Sequence, residues 1–294
     1  MKSVTRAAYA KVNLYLDVVG KRPDGYHELV TLFERVDLAD TLTLSLRPGG
    51  EIEVQCDDPG VPCDGTNLVA RAAEDFRKAL NSSQGVRIAL KKKIPVAAGM
   101  GGGSSDAAAT LLGLQELMGS PLPEQELMRL AKELGADVPF FLTSEPLALG
   151  KGRGDELEPL EGRPHLWHLL VFPGFPIPTK QVYQAYSSST ELRAGLTHPK
   201  PDVTLLICAL RDNHVPGMSD FLFNALEPTV EVLCPALRHV KATLRRVGLA
   251  HPMISGSGST VFALCDSQEE AVSAAQVLEK QEPGWRLYVA GTKG

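Results

Sequence analysis

The sequence predicts an α+β protein of two domains. Three observations predict it. The chain has 294 residues, about twice the usual length of one domain. Segments alternating at period two and segments repeating at helical spacing are mixed along it, without the strict strand–helix–strand succession of a parallel sheet. Gly150–Gly154 (GKGRG), with the polar, proline-containing run to Pro164, reads as a junction. Domains are therefore expected over residues 1–152 and 153–294.

The N-terminal third reads mostly as strand. Residues 4–18 are rich in Val, Leu and Tyr, residues 28–46 contain the alternating Thr41-Leu42-Thr43-Leu44-Ser45-Leu46, and residues 51–56 are EIEVQC. Thr66-Asn67 opens a helical pattern with Leu68, Ala72, Ala73, Phe76 and Leu80 on one face. A strand over Val86–Leu90 leads through Lys91-Lys92-Lys93 into a glycine-rich stretch. The next helix is expected to start at Ser104 or Ser105 and to end near Gly119, in the position past a helix where glycine tolerates positive φ. Glu124–Leu134 carries Leu127, Leu130, Ala131 and Leu134 at helical spacing and stops at Gly135. Beyond the junction come strands at Leu166–Phe172, Met253–Ser255, Val261–Cys265 and Trp285–Ala290. Ser267-x-x-Glu270 is a capping box for a helix running to about Lys280.

Composition narrows the function classes. Hydrophobic residues are 44% and charged residues 22%, which excludes a disordered or fibrous chain. Thirty basic against 35 acidic residues give a net charge of −5, the opposite of a nucleic-acid-binding footprint. The five cysteines (Cys56, Cys63, Cys208, Cys234, Cys265) form no C-x-x-C pair; Cys208 and Cys265 lie in apolar runs and read as small hydrophobes. No run approaches the roughly 18 apolar residues of a membrane helix, and the first twenty residues lack the apolar core of a leader. A reduced, cytoplasmic protein without membrane or nucleic-acid partners is expected.

The strongest chemical signal is Pro95-Val96-Ala97-Ala98-Gly99-Met100-Gly101-Gly102-Gly103-Ser104-Ser105-Asp106. Glycines let backbone N–H groups converge on an anion, and the helix that follows adds its unpaired amides and the positive end of its dipole. Ser104 and Ser105 supply hydroxyls that cap the helix, bind phosphate or help hold magnesium. The plain alternative is a flexible strand-to-helix loop capped by serine, with Asp106 a favourable first-turn acid. The stretch fits neither the P-loop, which requires Gly-Lys, nor the dinucleotide pattern, whose third small residue is here Ser104. Kinase motifs of the H-R-D type are absent.

The stretch resembles the second motif of the GHMP kinases (galactose, homoserine, mevalonate and phosphomevalonate kinases). Ala10-Lys11-Val12-Asn13-Leu14 resembles their N-terminal motif and Ile254-Ser-Gly256-Ser-Gly258-Ser259 their C-terminal glycine motif, in the right order over the whole chain. Four local signatures point to one branch of the family: AKVNLYLDVVGKRPDGYHEL (10–29), the GGGSSDAA loop, LGADVPFF (134–141) and PGFPIPT (173–179). The resemblance implies an N-terminal domain like the second domain of ribosomal protein S5 and a ferredoxin-like C-terminal domain. It implies ATP as cosubstrate with Mg2+, and phosphorylation of the 2-hydroxyl of a cytidine diphosphate-linked methylerythritol in the non-mevalonate isoprenoid pathway, by a monomer or homodimer.

Residue roles follow from the same resemblance. Lys11 and Asp137 match the active-site lysine and the catalytic aspartate, against plain readings as a solvated strand lysine and a turn residue. Pro95–Ser105 match the ATP loop, with Ser105 beside the metal and the phosphates. Asn67, in Thr66-Asn67-Leu68, resembles an adenine-side segment. Asn13 resembles a substrate contact, Tyr26 and His27 a cytidine-binding pair, and Tyr183 an aromatic that stacks on the base; ordinary half-buried packing is the alternative for both tyrosines. Lys91–Lys93 either raises potential near the triphosphate or is a solvated strand end. The rival functions are another GHMP kinase, of homoserine or mevalonate type, and a non-catalytic nucleotide sensor.

Overall fold

The computed structural model describes residues 2–162, 165–188, 200–212 and 217–294. The chain forms two compact units interleaved in sequence. The first holds the chain up to Ala10, Leu38–Val96 and Gly101–Ser144; the second holds Lys11–Asp37, Ala97–Met100 and Glu145–Gly294. Two long strands, β1 (Ser3–Lys21) and β2 (His27–Arg47), give one part to each unit.

In the first unit β4 (Gly85–Lys91) pairs antiparallel with β2, Thr41 opposite Lys91 and Arg47 opposite Gly85, and β3 (Ile52–Cys56) pairs parallel with β4. The alternation at Leu42, Leu44 and Leu46 places Leu42 and Leu44 fully inside, as period two requires. Helices α1 (Leu68–Ala79), α2 (Gly102–Leu117) and α3 (Glu124–Leu134) pack together. On α1 the buried face is Val69, Ala72, Ala73 and Phe76; α2 buries ten of its residues, so small side chains such as Ala107, Ala108 and Ala109 suit its crowded position. The 310 turn Pro139–Leu142 closes the unit.

In the second unit β5 (Leu147–Lys151) pairs antiparallel with the His27–Asp37 part of β2 and with β6 (Glu156–Pro159). The glycine-rich residues 150–154 therefore lie in the hairpin that joins β5 to β6. A second sheet has the order β11-β7-β10-β9, with β7 (Trp167–Phe172), β9 (Met253–Ile254), β10 (Val261–Cys265) and β11 (Arg286–Gly291) antiparallel. Helices α4 (Thr179–Ser188), α6 (Glu227–Leu233), α7 (Ala236–Arg246) and α8 (Gln268–Gln281) contribute to its core, through Val182, Val230, Leu244 and Leu278 among others. Ser267 caps α8 as expected, its Oγ accepting the Glu270 N–H at 3.2 Å, while the Glu270 carboxylate takes the N–H of Asp266, one residue before the cap. Helix α5 (Val203–Arg211) leaves Cys208 exposed, contrary to its apolar run, because the buried stripe passes through Leu206 and Leu210; Cys265 is buried. Glu34 and His168 are both fully buried, with the His168 Nε2 2.9 Å from a Glu34 oxygen and the Thr292 hydroxyl donating to the other at 2.6 Å.

No helix among the described residues is long and apolar enough to cross a membrane.

Candidate active site

Lys11 and Asn13 share one face of β1 and are 4% and 2% exposed, so Lys11 is not the solvated strand lysine of its plain alternative. A hydrogen-bond chain orders them. The Thr31 hydroxyl donates to the Tyr15 carbonyl at 2.8 Å, so its oxygen accepts the Asn13 Nδ2–H, also at 2.8 Å. That assignment turns the Asn13 Oδ1 toward the Lys11 ammonium, 2.5 Å away. The ammonium also lies 5.7 Å from the centre of the Phe33 ring, an attractive placement for a cation.

The glycine-rich segment enters this second unit at Ala97–Met100. Its four successive carbonyls are each taken by a different part of the unit. Ile177 N–H donates to Ala97 at 3.1 Å, Thr260 N–H to Ala98 at 3.1 Å, the Ser255 hydroxyl to Gly99 at 3.0 Å and Lys11 N–H to Met100 at 3.0 Å. A trans peptide is planar with N–H opposed to C=O, so the amides of Ala98, Gly99 and Met100 point away from those donors. Gly99 has φ +78°, and a side chain there would run into the Ser255 carbonyl and approach Gly258 N to 3.0 Å. Gly256, at φ +55°, brings its backbone beside the lysine pair; an added Cβ would stand 3.0 Å from Asn13 Oδ1 and 3.3 Å from Lys11 Nζ. Only glycine gives both the left-handed conformation and the close approach. The Ala97–Met100 part of the second motif, the C-terminal glycine motif and the N-terminal motif thus meet in one unit, at Lys11.

In the first unit the helix starts two residues earlier than the serines suggested. Gly101, with φ +68°, precedes Gly102, the first residue of α2, and no side chain caps the helix. Ser104 and Ser105 therefore lie within its first turn, with Ser105 buried at 2% exposure. Asp137 is half-buried just before the 310 turn that begins at Pro139. Asn67 caps α1, its Oδ1 accepting Val69 N–H at 2.9 Å and its Nδ2 donating to the Pro62 carbonyl at 2.6 Å. Lys92 is not part of a solvated strand end. Its ammonium bonds Asp40 at 2.5 Å and Asp106 at 2.7 Å, with side chains 7%, 0% and 2% exposed. Asp40 also accepts the N–H groups of Lys93 and Ile94. One cation thus joins β2, at Asp40, to α2 at Asp106; because α2 begins at Gly102, Asp106 lies past the first turn and is not the first-turn acid of the plain alternative. Burial opposes the Lys92 charge, but Asp106 and Asp40 more than offset it and raise its pKa. Burial pushes Asp106 up to about 7 against the pull of Lys92.

The aromatic residues lie in the second unit. The His27 ring lies 5.1 Å from that of Tyr183 and 6.3 Å, edge-on, from that of Tyr186. Ser187 donates its hydroxyl to the Tyr183 carbonyl at 2.9 Å and sits 2.7 Å from His27 Nε2, which makes that nitrogen the donor of the pair. Tyr26 is 55% exposed, with the Arg153 guanidinium 5.3 Å from its ring centre. A cavity of about 280 Å3 is lined by Val18, Val19, Lys21, His27, Tyr186 and Ser187.

Sequence reasoning missed Thr31 and Phe33, which orient and flank Lys11, and Asn224 and Glu227, which hold the C-terminal glycine turn. Asn224-Ala225-Leu226-Glu227 carries no pattern that marks it. Among the described residues no group of three or more His, Cys, Asp or Glu side chains is placed to hold a metal.

Comparison with known proteins places this arrangement. Residues 67–145 match the GHMP kinases N terminal domain, and residues 200–284 match the GHMP kinases C terminal domain. The chain is 43% identical over 285 residues to a 4-diphosphocytidyl-2-C-methyl-D-erythritol kinase of Citrifermentans bemidjiense, 97% of each chain being covered. It is similar to a crystal structure of 4-(cytidine 5'-diphospho)-2C-methyl-D-erythritol kinase, with 38% identity, a TM-score of 0.82, and 99% of this chain and 100% of that one covered. A homoserine kinase from Cytophaga hutchinsonii, 24% identical with 99% and 96% covered, shares the fold at a TM-score of 0.77.

Proposed function

This chain belongs to the GHMP kinases, in the branch of the 4-diphosphocytidyl-2-C-methyl-D-erythritol kinases, and from that membership we propose that it transfers the γ-phosphoryl group of ATP to the 2-hydroxyl of 4-diphosphocytidyl-2-C-methyl-D-erythritol. The observation that carries the reading is the buried Lys11–Asn13 pair against Gly256, beside a loop whose Ala97–Met100 carbonyls are taken by the same unit.

Phosphoryl transfer asks little covalent chemistry of a protein and much positioning and charge stabilisation. Asp137 accepts the proton of the attacking hydroxyl. Lys11 offsets the charge that gathers on the transferring group, and Asn13 fixes the ammonium and contacts the substrate. The amides of the 98–103 loop and the N-terminus of α2 receive the triphosphate. Magnesium would enter with the nucleotide, with the Ser105 hydroxyl beside it, and would supply charge neutralisation on the phosphates. Tyr26, His27 and Tyr183 hold the cytosine ring.

Phosphorus NMR of ATP, protein and the cytidyl substrate together tests the assignment. A new monoester resonance and stoichiometric ADP are expected. Turnover of homoserine or mevalonate in its place, with none of the cytidyl substrate, would reassign the chain within the family.

The aromatic subsite gives a separate expectation. Tyr183→Ala should raise KM for the cytidyl substrate by about 5- to 150-fold, since one base–aromatic stack is worth roughly 1–3 kcal/mol. Its KM for ATP should stay nearly unchanged. Tyr183→Phe should be close to wild type, because the face is kept. Steady-state kinetics in both substrates reads this, and equal losses for the two substrates would assign the ring to general packing.

A further inference from the structure

Asn224 ends the two-residue strand β8 (Phe223–Asn224), paired parallel with β1 at Leu16, and the next residue's N–H donates to the Leu16 carbonyl at 2.8 Å. Its carboxamide is buried, at 5% exposure, and all of its polar capacity on one side faces the C-terminal glycine turn. The Nδ2 group donates to the Ile254 and Gly256 carbonyls, each at 2.8 Å, and Oδ1 accepts the Leu226 N–H at 2.9 Å. Both partners of Nδ2 are carbonyls, so the amide has one possible orientation. One helical turn later the Glu227 carboxylate accepts the Ile254 N–H at 2.8 Å. Ile254 is therefore gripped at its N–H and its C=O, and Gly256 at its C=O, by side chains three residues apart.

What Gly256 touches gives this grip a consequence. Its α-carbon abuts the Lys11–Asn13 pair so closely that a single added carbon would stand 3.0 Å and 3.3 Å from the two polar atoms. β1, which carries Lys11 and Asn13, is the same strand to which β8 is bonded. Asn224 thus joins the strand bearing the ammonium to the turn that walls it.

We propose that Asn224 is a positioning residue for phosphoryl transfer, setting the distance between the Ile254–Gly258 turn and the Lys11 ammonium without touching either substrate. The inference rests on the phosphoryl-transfer reading of Lys11. It predicts a loss confined to the chemical step, because a displacement of about 1 Å at a reacting group can cost on the order of 100-fold in rate while ground-state contacts survive. It also predicts an order among variants. Asn224→Ala removes the donors. Asn224→Asp keeps the volume but sets a carboxylate oxygen against two carbonyls, which pushes the turn away. Asn224→Ser keeps one donor.

The test has two readouts on folded protein. In steady-state kinetics kcat should fall about 10- to 100-fold in Asn224→Ala and at least as far in Asn224→Asp, with Asn224→Ser between wild type and alanine. KM for ATP and for the cytidyl substrate should each stay within about threefold. In 15N-lysine spectra the Lys11 ammonium resonance, assigned by its loss in Lys11→Met, should move in Asn224→Ala and less in Asn224→Ser. A role in packing alone would lower the melting temperature while the isosteric aspartate variant retained activity. Wild-type kcat in the alanine and serine variants, or a Lys11 resonance that stays in place, would overturn the proposal. A wild-type chain inactive on the cytidyl substrate would instead defeat the functional reading, and the lysine resonance would still decide the positioning. If the alanine variant does not fold, the serine variant carries both measurements.

Discussion

Asp137→Asn should keep the fold and lose about 10²- to 10⁴-fold in kcat, the usual contribution of a well-placed general base. The substitution preserves shape and removes the proton acceptor, so KM for both substrates should change little. Asp137 is half-buried at the start of a turn held by Val138, Pro139 and Phe140, all of them buried, and the isosteric amide leaves that packing intact. Lys11→Met should give a comparable loss of turnover, because the thioether chain fills the space of the lysine stem beside Phe33 but offers no charge. The Asn13 Oδ1 would then face an apolar chain, so a modest drop in melting temperature should accompany the kinetic loss. Near-wild-type turnover in Asp137→Asn would remove it as the base, and a large loss of thermal stability there would mark a structural residue.

Lys92→Met should produce the largest stability loss of any single change considered, about 3–5 kcal/mol. Removing one partner of a buried ionic cluster leaves the others uncompensated, and here two carboxylates, of side-chain exposure 0% and 2%, would remain. The pH dependence follows from the raised pKa of Asp106. A carboxyl that binds its proton more tightly folded than unfolded adds stability below its ordinary pKa, and that stability is lost as pH rises through about 7. Without the ammonium the carboxylates repel unopposed, so the deficit of Lys92→Met should be smaller at pH 5 than at pH 8. Urea unfolding midpoints at the two pH values measure it. Asp106→Asn in the Lys92→Met background should recover part of the loss by removing one buried charge. A Lys92→Met protein as stable as wild type at pH 8 would show that the cluster is solvated in solution.

Local chemistry made much of this legible before any fold was known. The leucine alternation through Leu42 and Leu44, the four-residue spacing of α3 and the Ser267–Glu270 cap each encode geometry within a few residues, and each is realised in place. The glycine stretch has no side chains to block a close approach, and at Gly99 that freedom is used against Ser255 and Gly258 of the protein itself. Boundaries set by glycine conformation were less legible. Serines are good helix caps, yet α2 begins at Gly102 because the left-handed Gly101 turns the chain first.

Composition misled wherever the deciding partner is remote. A lysine triplet at a strand end reads as solvated, because nothing near it reveals that Asp40, 52 residues earlier, and Asp106, 14 residues later, converge on Lys92. The same holds for Asn224, whose two acceptors lie 30 and 32 residues on, and for Thr31, which orients Asn13 from the neighbouring strand. Residue type and spacing determined which groups are able to carry chemistry, since charge, hydrogen-bonding capacity and backbone freedom belong to each residue wherever it sits. Which of them are dry, which way an amide faces and which carbonyls are taken were decided only by the tertiary structure, because burial and hydrogen-bond partnership depend on segments that the chain brings together after long excursions.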